Sequence, residues 1–415
     1  MNDIKNKEFI KSFMVLASGS VVAQLITIII SPISTRLFSS SELGEYTLLL
    51  SIVNIFGPIL SLRYDYMIIP EKQEQKVYCL VKLCIILGIL TSTLVSIGYV
   101  IFLIITSQNI SLLFTILLFI LLLLNSLINI LTAYNNRNKE YKIMSSTYVV
   151  RTIMQNTFLV VFGFLRLGSI GLVLSQTIGT FFGIKKQSES ISKKYHDIKR
   201  ISKKDLLTSA KIYKKQFTMA TPAAFLNSFS YNSINLIISS LFSNTILGFY
   251  SISYRVLGMP LTLISNNVSK VYFETASKEF NEFGKFNDTF KRIIKYLLPI
   301  SLLMVFVLVG FSPWLFSIVF GEEWREAGVF VQILAPMFSI KLISSTLGPS
   351  IWITQKQKYD MIFQVLLILV VVICSIFTLL FNFNIYFFLI LYSFLTSIVY
   401  LYSIYVHYQL SKGNI

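Results

Sequence analysis

Long runs of apolar residues, separated by short polar segments, follow one another along the whole chain. A helix needs about 20 mostly apolar residues to cross a membrane, and about 12 such runs are present. They are centred near residues 22, 55, 92, 121, 154, 176, 229, 258, 302, 340, 371 and 396. Strands of a membrane barrel would instead alternate apolar and polar positions in segments of about ten residues. The pattern therefore predicts an all-α polytopic membrane protein.

The composition agrees with this pattern. Of the 415 residues, 54% are hydrophobic and only 13% are charged, which excludes a water-soluble chain with a polar surface. The basic segment "MNDIKNKEFIK" leads into an apolar run that continues past Ile30, longer than a signal-peptide core, so we expect a retained first span. The three cysteines have no metal-like spacing, and we expect no disulfide framework, metal or cofactor.

The distribution of basic residues predicts the orientation in the membrane. Most of the 36 lysines and arginines fall in segments that share one side, the richest being "KKQSESISKKYHDIKRISKK" from Lys185 to Lys204. The loops on the other side carry only Arg36, Arg166 and Arg325. Because cytoplasmic loops are enriched in basic residues, both termini should be cytoplasmic in a multi-pass protein of the bacterial inner membrane. The net charge of +17 then reflects loops that face anionic lipid, and no nucleic-acid partner is expected.

A short repeat divides the chain into two halves. The segment "FSSSELGEY", residues 38–46, recurs as "FSNTILGFY", residues 242–250, with five of nine positions identical. Each copy falls between the first and second span of a half, where Gly44 and Gly248 suit a tight turn or a close approach. We predict a six-helix bundle over 1–184, a basic cytoplasmic linker over 185–215 and a second six-helix bundle over 216–415. Such a parallel repeat is typical of transporters with two pseudo-symmetric bundles around a central cavity.

Polar residues recur at helical spacing within several predicted spans. Gln24 belongs to such a stripe in the first span, and Asn227, Tyr231 and Asn235 form one in the seventh. Residues at these spacings share one face of a helix. The stripes indicate either a polar cavity or hydrogen bonds between packed spans.

The ionisable residues in the spans are basic. Every Asp and Glu lies outside the predicted spans, whereas Arg151, Arg255 and Lys341 lie deep within them. Carriers of protons, sodium or cationic drugs usually depend on buried carboxylates, so the sequence favours an anionic cargo. Guanidinium suits phosphate because its planar fork binds two oxygens at once. Alternatively, these cations bind backbone carbonyls freed by helix breaks near Pro260 and Pro336.

Four motifs, in this order and spacing, resemble a known family. They are "RLFSSSELGEYTLLLSI", "SLRYDYMI", "GFYSISYRVLGMPLTLI" and "LFSIVFGEEWREAG". On this scaffold they are similar to the polysaccharide-repeat-unit flippases (Wzx type) of the multidrug/oligosaccharidyl-lipid/polysaccharide exporter superfamily. The resemblance implies an undecaprenyl-diphosphate-linked oligosaccharide as cargo, moved to the outer leaflet for O-antigen or capsule assembly, and it allows a polysaccharide polymerase as a further partner.

The resemblance also assigns residues. Arg151, Arg255 and Lys341 match the basic cavity positions of the family, while Arg36, Arg63 and Asp65 lie in family-like motifs near helix ends, with a gating or turn role. Similar proteins alternate between inward-open and outward-open states. Some members are proposed to use an ion gradient, and the absence of a deep carboxylate argues against such coupling here, with Asp65 the nearest candidate.

Three alternatives stay open at this point. A multidrug exporter and a peptidoglycan-precursor flippase belong to the same superfamily, and the latter usually has more spans. A membrane polysaccharide polymerase or ligase would handle a similar substrate, but such enzymes commonly have a large outer catalytic loop or paired aspartates. This sequence shows neither, and its two histidines, His196 and His407, lie in the linker and near the C-terminus. We therefore expect a transporter and no enzyme.

Overall fold

The fold is helical throughout the part of the chain that can be described. A computed structural model describes residues 2–105 and 111–414, and within the first helix it describes side chains from Gly19 onward. Helices and their connecting turns make up these residues, with no strand among them. The chain divides into two compact units, one ending at Ser228 and the other beginning at Phe229. This confirms the predicted all-α class.

Nine α-helices lie wholly within the first unit among the residues that the structure describes. They are α1 (Asn2–Leu37), α2 (Ser40–Phe56), α3 (Glu74–Ile105), α4 (Leu112–Arg137), α5 (Tyr141–Phe164), α6 (Gly168–Phe181), α7 (Ile184–Ser192), α8 (Tyr195–Arg200) and α9 (Lys203–Ile212). Two short 3₁₀ helices, Gly57–Ile59 and Tyr64–Ile68, connect α2 to α3.

The second unit begins within α10. Its helices are α10 (Thr221–Leu241), α11 (Asn244–Pro260), α12 (Asn266–Phe283), α13 (Asn287–Phe320), α14 (Arg325–Thr346), α15 (Pro349–Ile353), α16 (Lys358–Phe381) and α17 (Ile385–Lys412). A π-helical turn, Leu261–Ser265, joins α11 to α12 directly after Pro260. Helices α13 and α14 are separated only by Gly321 and a single 3₁₀ turn, so the predicted outer loop around "GEEWREAG" is short.

Each predicted span centre lies within a helix, but the helices differ in how well they meet the requirements for crossing a membrane. Seven of the described helices are long and apolar enough by length and composition alone. Helices α2, α6 and α11 are shorter, at 17, 14 and 17 residues. Helices α5 and α10 are long enough but carry the polar residues that form the predicted sites. The span count near 12 therefore depends on helices that are short or polar.

The repeated nonapeptide has the same local structure in both units. Ser39 and Ser243 are the N-caps of α2 and α11, and their hydroxyls accept hydrogen bonds from the amides of Glu42 and Ile246. Serine is favoured at this position because its oxygen satisfies an amide that has no partner within the helix. Gly44 lies one turn further along α2. The turn is thus made by the serine, and the glycine contributes to a buried helix face.

The basic linker is folded onto the first unit. The ammonium of Lys82 on α3 donates to the carbonyls of Lys199 and Ile201, at 3.0 and 2.7 Å, and the Tyr64 hydroxyl donates to the Ala210 carbonyl. Ile184, just before the linker, and several apolar linker residues pack on the core that α3 and α4 form, the linker residues being Ile191, Ile198, Ile201, Leu206, Ala210 and Tyr213. Lys82, to which the sequence assigns no role, therefore anchors the linker. The domain limits at 184 and 216 stay predictions.

Candidate functional site

Lys341 is the basic residue with the most distinctive surroundings. It lies on α14, inside the candidate span Glu322–Ile353. Its Nζ donates a hydrogen bond to the Tyr254 hydroxyl at 3.0 Å. Four aromatic ring centroids lie 5.1–5.9 Å from Nζ, namely those of Tyr231, Tyr254, Phe338 and Tyr400. We call these four rings and Lys341 the aromatic cage.

The aromatic cage stabilises a cation without neutralising it. Ring faces attract an ammonium within about 6 Å of the centroid through their quadrupole. Within the described residues, no carboxylate oxygen lies within 4 Å of the Lys341 ammonium. A lysine has three N–H donors, of which Tyr254 accepts one. Positive charge and hydrogen-bonding capacity therefore remain for an anion.

The cage has an open side and a buried side. Tyr231, on α10, is 42% exposed, whereas Tyr400, on α17, is 9% exposed and Phe338 is 1% exposed. Arg255, also predicted to bind substrate, follows Tyr254 on α11 and is partly buried. The structure thus places Lys341 and Tyr231, two of the predicted substrate-binding residues, close together, and it places Arg255 on a helix that contributes to the same cage.

Arg151 has a different environment in the first unit. Its Nε donates to the Phe182 carbonyl at the end of α6, and Nη2 donates to the Gln187 side chain, both at 2.9 Å. Gln187 in turn donates to the Thr147 hydroxyl, one helical turn before Arg151 on α5. This is the alternative that the sequence left open, a guanidinium that binds a backbone carbonyl at a helix break. Its predicted contact with substrate is not tested by this geometry.

The remaining residues of the predicted stripes and turns lie as follows. Gln24 and Asn235 are partly buried on α1 and α10, and Asn227 is exposed on α10. Arg36 is exposed in the last turn of α1, and Gly248 is buried on α11. Their substrate-binding and gating roles stay predictions.

Arg63 and Asp65 lie at a sharp break after α2. Leu62 and Arg63 have φ of 47° and 63°, a left-handed conformation that side chains other than glycine rarely adopt. The Arg63 guanidinium carbon lies 3.6 Å from the ring centroid of Tyr66. Asp65, in the 3₁₀ helix between α2 and α3, is only 5% exposed. Burial raises the pKa of its carboxyl to about 6, although Arg63 and backbone amides oppose this shift.

These two residues face a polar cavity within the first unit. The cavity has a volume of about 420 Å³, and its polar lining includes Asn54, Arg63, Asp65, Asn125, Asn129 and Asn136. We call it the asparagine pocket. Two buried lining atoms, Arg63 Nε and Asp65 Oδ1, have no hydrogen-bond partner among the residues that the structure describes. One wall is fixed by Asn129, whose amide donates to the Gly57 carbonyl at 3.0 Å.

Sequence reasoning missed the asparagines of α4, although the signal was present. Asn125, Asn129, Thr132 and Asn136 recur at steps of four, three and four, which is the spacing that marked Gln24 in the first span. All four line the asparagine pocket. Applied to the fourth span, the same criterion would have found them.

Solved structures with the same fold include several transporters. The lipid II flippase MurJ, in an inward closed conformation, aligns with a TM-score of 0.70 and 14% identity, covering 97% of this chain and 90% of that one. An inward-facing MATE-family multidrug resistance transporter of the MOP superfamily aligns with a TM-score of 0.66 and 11% identity, covering 94% and 97%. A MOP-superfamily transporter from Pyrococcus furiosus aligns at 0.61 and 11%, covering 97% and 96%. At these identities the likeness establishes the fold.

Two sequence comparisons bear on the family, and the family model establishes it. The teichuronic acid biosynthesis protein TuaB of Bacillus subtilis (strain 168) is 26% identical over 102 residues, which span 25% of this chain and 21% of that protein. A family model described as "Polysaccharide biosynthesis protein" matches residues 35–329, more than half of the chain. The chain therefore belongs to this family of polysaccharide biosynthesis proteins and has the all-helical fold of the MOP superfamily of membrane transporters.

Proposed function

We propose that the protein is a flippase that moves an undecaprenyl-diphosphate-linked oligosaccharide repeat unit from the cytoplasmic to the outer leaflet. Transport proceeds by alternating access and supplies O-antigen or capsule assembly. Family membership supports a role in polysaccharide biosynthesis, and the fold supports a role in transport.

The aromatic cage is the observation that carries this proposal. A diphosphate needs a cation that keeps its charge inside the membrane and has free N–H groups. Lys341 meets both needs, because ring faces stabilise its ammonium and Tyr254 takes only one donor. Low local dielectric strengthens attraction to an anion, and the tyrosine hydroxyls can donate further hydrogen bonds to phosphate oxygens.

The cage also distinguishes the alternatives. A cationic drug would be repelled by Lys341, so a multidrug exporter for cations is less well supported. MurJ, which its name describes as a lipid II flippase, has the same fold. A peptidoglycan precursor is therefore the second candidate, and only the cargo separates it from the first.

Complementation tests the proposal. Bacteria that lack their repeat-unit flippase receive the wild type, Lys341→Met, Lys341→Arg or Lys356→Met at matched membrane levels, and polymerised surface glycan is quantified. Met keeps the apolar stem and removes the charge, so we expect a loss of at least about tenfold, the scale of a lost charged hydrogen bond. The exposed Lys356 serves as the matched control and should retain wild-type levels.

Two results would contradict the proposal. The first is wild-type glycan export by Lys341→Met, which would remove the cage from the transport path. The second is rescue of a strain depleted of its lipid II flippase together with no export of any repeat unit, which would assign the peptidoglycan precursor as cargo.

A further inference from the structure

We infer that the asparagine pocket of the first unit binds a neutral pyranose ring of the cargo and is a determinant of sugar specificity. The inference rests on the proposed function, because it assigns part of the same cargo to a second place in the chain. The pocket lies apart from the aromatic cage along the sequence, since its lining comes from residues 53–136.

The size and composition of the pocket suit a sugar. Ligand pockets enclose roughly 300–1,000 Å³, and this one encloses about 420 Å³. Four asparagine amides contribute both donors and acceptors to its lining. A sugar hydroxyl also donates and accepts, so each amide can pair with a hydroxyl in either direction. Exposed Asn54 and Tyr66 place the mouth of the pocket at the surface of the unit.

The two unpartnered atoms specify the hydrogen bonds that a ligand would make. Asp65 Oδ1 is an acceptor without a donor, and Arg63 Nε is a donor without an acceptor. A buried polar group without a partner carries a desolvation penalty, and this penalty is larger for charged groups. Adjacent ring hydroxyls fit this pair, because one hydroxyl can donate to the carboxylate while its neighbour accepts from the guanidinium.

Asp65 and Arg63 carry opposite charges, so the pocket offers no net attraction to an anion or to a cation. The Asp65 carboxylate would repel a phosphate or a uronic acid carboxylate, and the Arg63 guanidinium would repel a metal cation or an amine. Arg63 and Asp65 are not among the ion pairs found within 4 Å in the described part of the chain. A neutral polyol is the ligand class that both residues accept.

The backbone conformation beside the pocket determines where Arg63 and Asp65 lie. Leu62 and Arg63 occupy left-handed conformations in succession, which lets the chain reverse between Gly57–Ile59 and Tyr64–Ile68 and bring Asp65 back against α4. Strained backbone of this kind persists where the surrounding structure requires it. The Arg63 guanidinium also lies over the Tyr66 ring, a contact that helps to hold it in place.

Ligand-observed NMR tests the inference. The full chain is placed in nanodiscs without glycoside detergents, and saturation transfer to methyl α-D-glucoside, methyl α-D-galactoside, methyl N-acetyl-α-D-glucosaminide and methyl α-D-glucuronide is measured. We expect signals from at least one neutral glycoside and none from the glucuronide. Asp65→Asn and Asn125→Leu should each lower the signal at least about tenfold, as expected for the loss of a buried hydrogen-bond partner.

Two control variants make the result specific. Asn267→Leu changes an exposed asparagine of α12 whose amide donates to the Leu263 carbonyl in the preceding π-helical turn, and this variant should bind sugar like the wild type. Lys341→Met should also retain the glycoside signal while losing glycan export. Since free glycosides carry no diphosphate, this pair separates failure of the pocket from failure of the flippase proposal.

Three outcomes would overturn the inference. The first is the absence of any signal from the neutral glycosides with folded wild type. The second is a glycoside signal from Asp65→Asn and Asn125→Leu that equals the signal from the wild type, which would place sugar binding elsewhere. The third is thermal stabilisation by sodium chloride over choline chloride without a glycoside signal, which would assign the pocket to a cation.

Discussion

Asp65 illustrates how one residue can be costly for folding and useful for binding. Its carboxylate is almost entirely buried, with one oxygen that lacks a hydrogen-bond partner. The ionisable groups near it are Arg63 in the same turn and the Cys84 thiol on α3, while the pocket residues of α4 are neutral. Burial thus dominates, and the carboxyl holds its proton more tightly in the folded protein than in the unfolded chain.

This imbalance predicts a pH dependence of stability. The pKa of Asp65 rises from 3.8 to about 6 on folding, so between pH 4 and 6 the folded state binds more protons. Stability should therefore fall as pH rises through this window, by on the order of 3 kcal/mol. Asp65→Asn should flatten this part of the stability profile and raise the apparent unfolding temperature at pH 7.5. The measurement is the apparent unfolding temperature of both proteins in nanodiscs between pH 4 and 7.5.

The test of Asp65 is the difference between the two profiles, since other groups titrate equally in both proteins. Parallel curves for the wild type and Asp65→Asn would show that the carboxyl has an ordinary pKa in the folded protein.

Arg151 is expected to act through stability. Its two side-chain hydrogen bonds join α5 to the end of α6 and to α7, and bonds to a charged group contribute about 1.5–3 kcal/mol each. Arg151→Ala should lower the apparent unfolding temperature, and glycan export should decrease in proportion to the amount of folded protein. Arg166→Ala, at an exposed position, should change neither quantity.

The competing interpretation of Arg151 has a distinct signature. A residue that binds substrate would lose export at an unchanged unfolding temperature, so thermal unfolding and complementation of the same variant decide between the two roles.

Among the elements, helices α13 and α14 pack closely through a glycine. A Cβ built on Gly328 of α14 would lie 2.5 Å from the Pro313 Cα and 2.7 Å from the Ser312 carbonyl oxygen. The Ser312 hydroxyl already donates to the Gly328 carbonyl across this contact. Small residues permit such approach between membrane helices, where van der Waals packing replaces the hydrophobic effect.

Paired glycine variants test this packing. Gly328→Ala must move backbone atoms and should destabilise the protein by about 1–3 kcal/mol. Gly310→Ala on α13 meets no atom within 4 Å, and it should be neutral or stabilising because alanine favours helix more than glycine does. Apparent unfolding temperatures in the same detergent provide the comparison, and equal values for both variants would contradict the close approach.

The element scale also shows where sequence patterns are informative. Helix positions and the two capping serines follow from local chemistry, since apolar runs and N-cap residues act within a few residues of one another. The path between α2 and α3 could not be predicted in this way. There the chain makes two 3₁₀ turns and two left-handed residues without glycine, a conformation that depends on packing against α4.

At the scale of the whole molecule, orientation is a prediction that labelling can check. The native cysteines Cys79, Cys84 and Cys374 are buried, so background labelling should be low. Lys194→Cys and Asn414→Cys should react with a membrane-impermeant maleimide only after permeabilisation, whereas Arg166→Cys should react in intact cells. Labelling of Lys194→Cys in intact cells would reverse the predicted topology.

The site was predictable only in part, for a physical reason. Charge deep in an apolar run identifies Lys341, because burial of a cation is costly wherever it occurs. The aromatic rings around it come from four helices, α10, α11, α14 and α17, and no local pattern relates them. Likewise, Asp65 and the asparagines of α4 meet only through tertiary packing.

The folded linker has a consequence for synthesis at the ribosome. The core that α3 and α4 share with α7, α8 and α9 is made of residues between Leu62 and Tyr213. Translation therefore completes this core before Phe229, the first residue of the second unit, is added to the chain. The linker can therefore cover the face of the first unit that is predicted to be cytoplasmic before the second unit is made. An unfinished protein then exposes less apolar surface to chaperones and proteases.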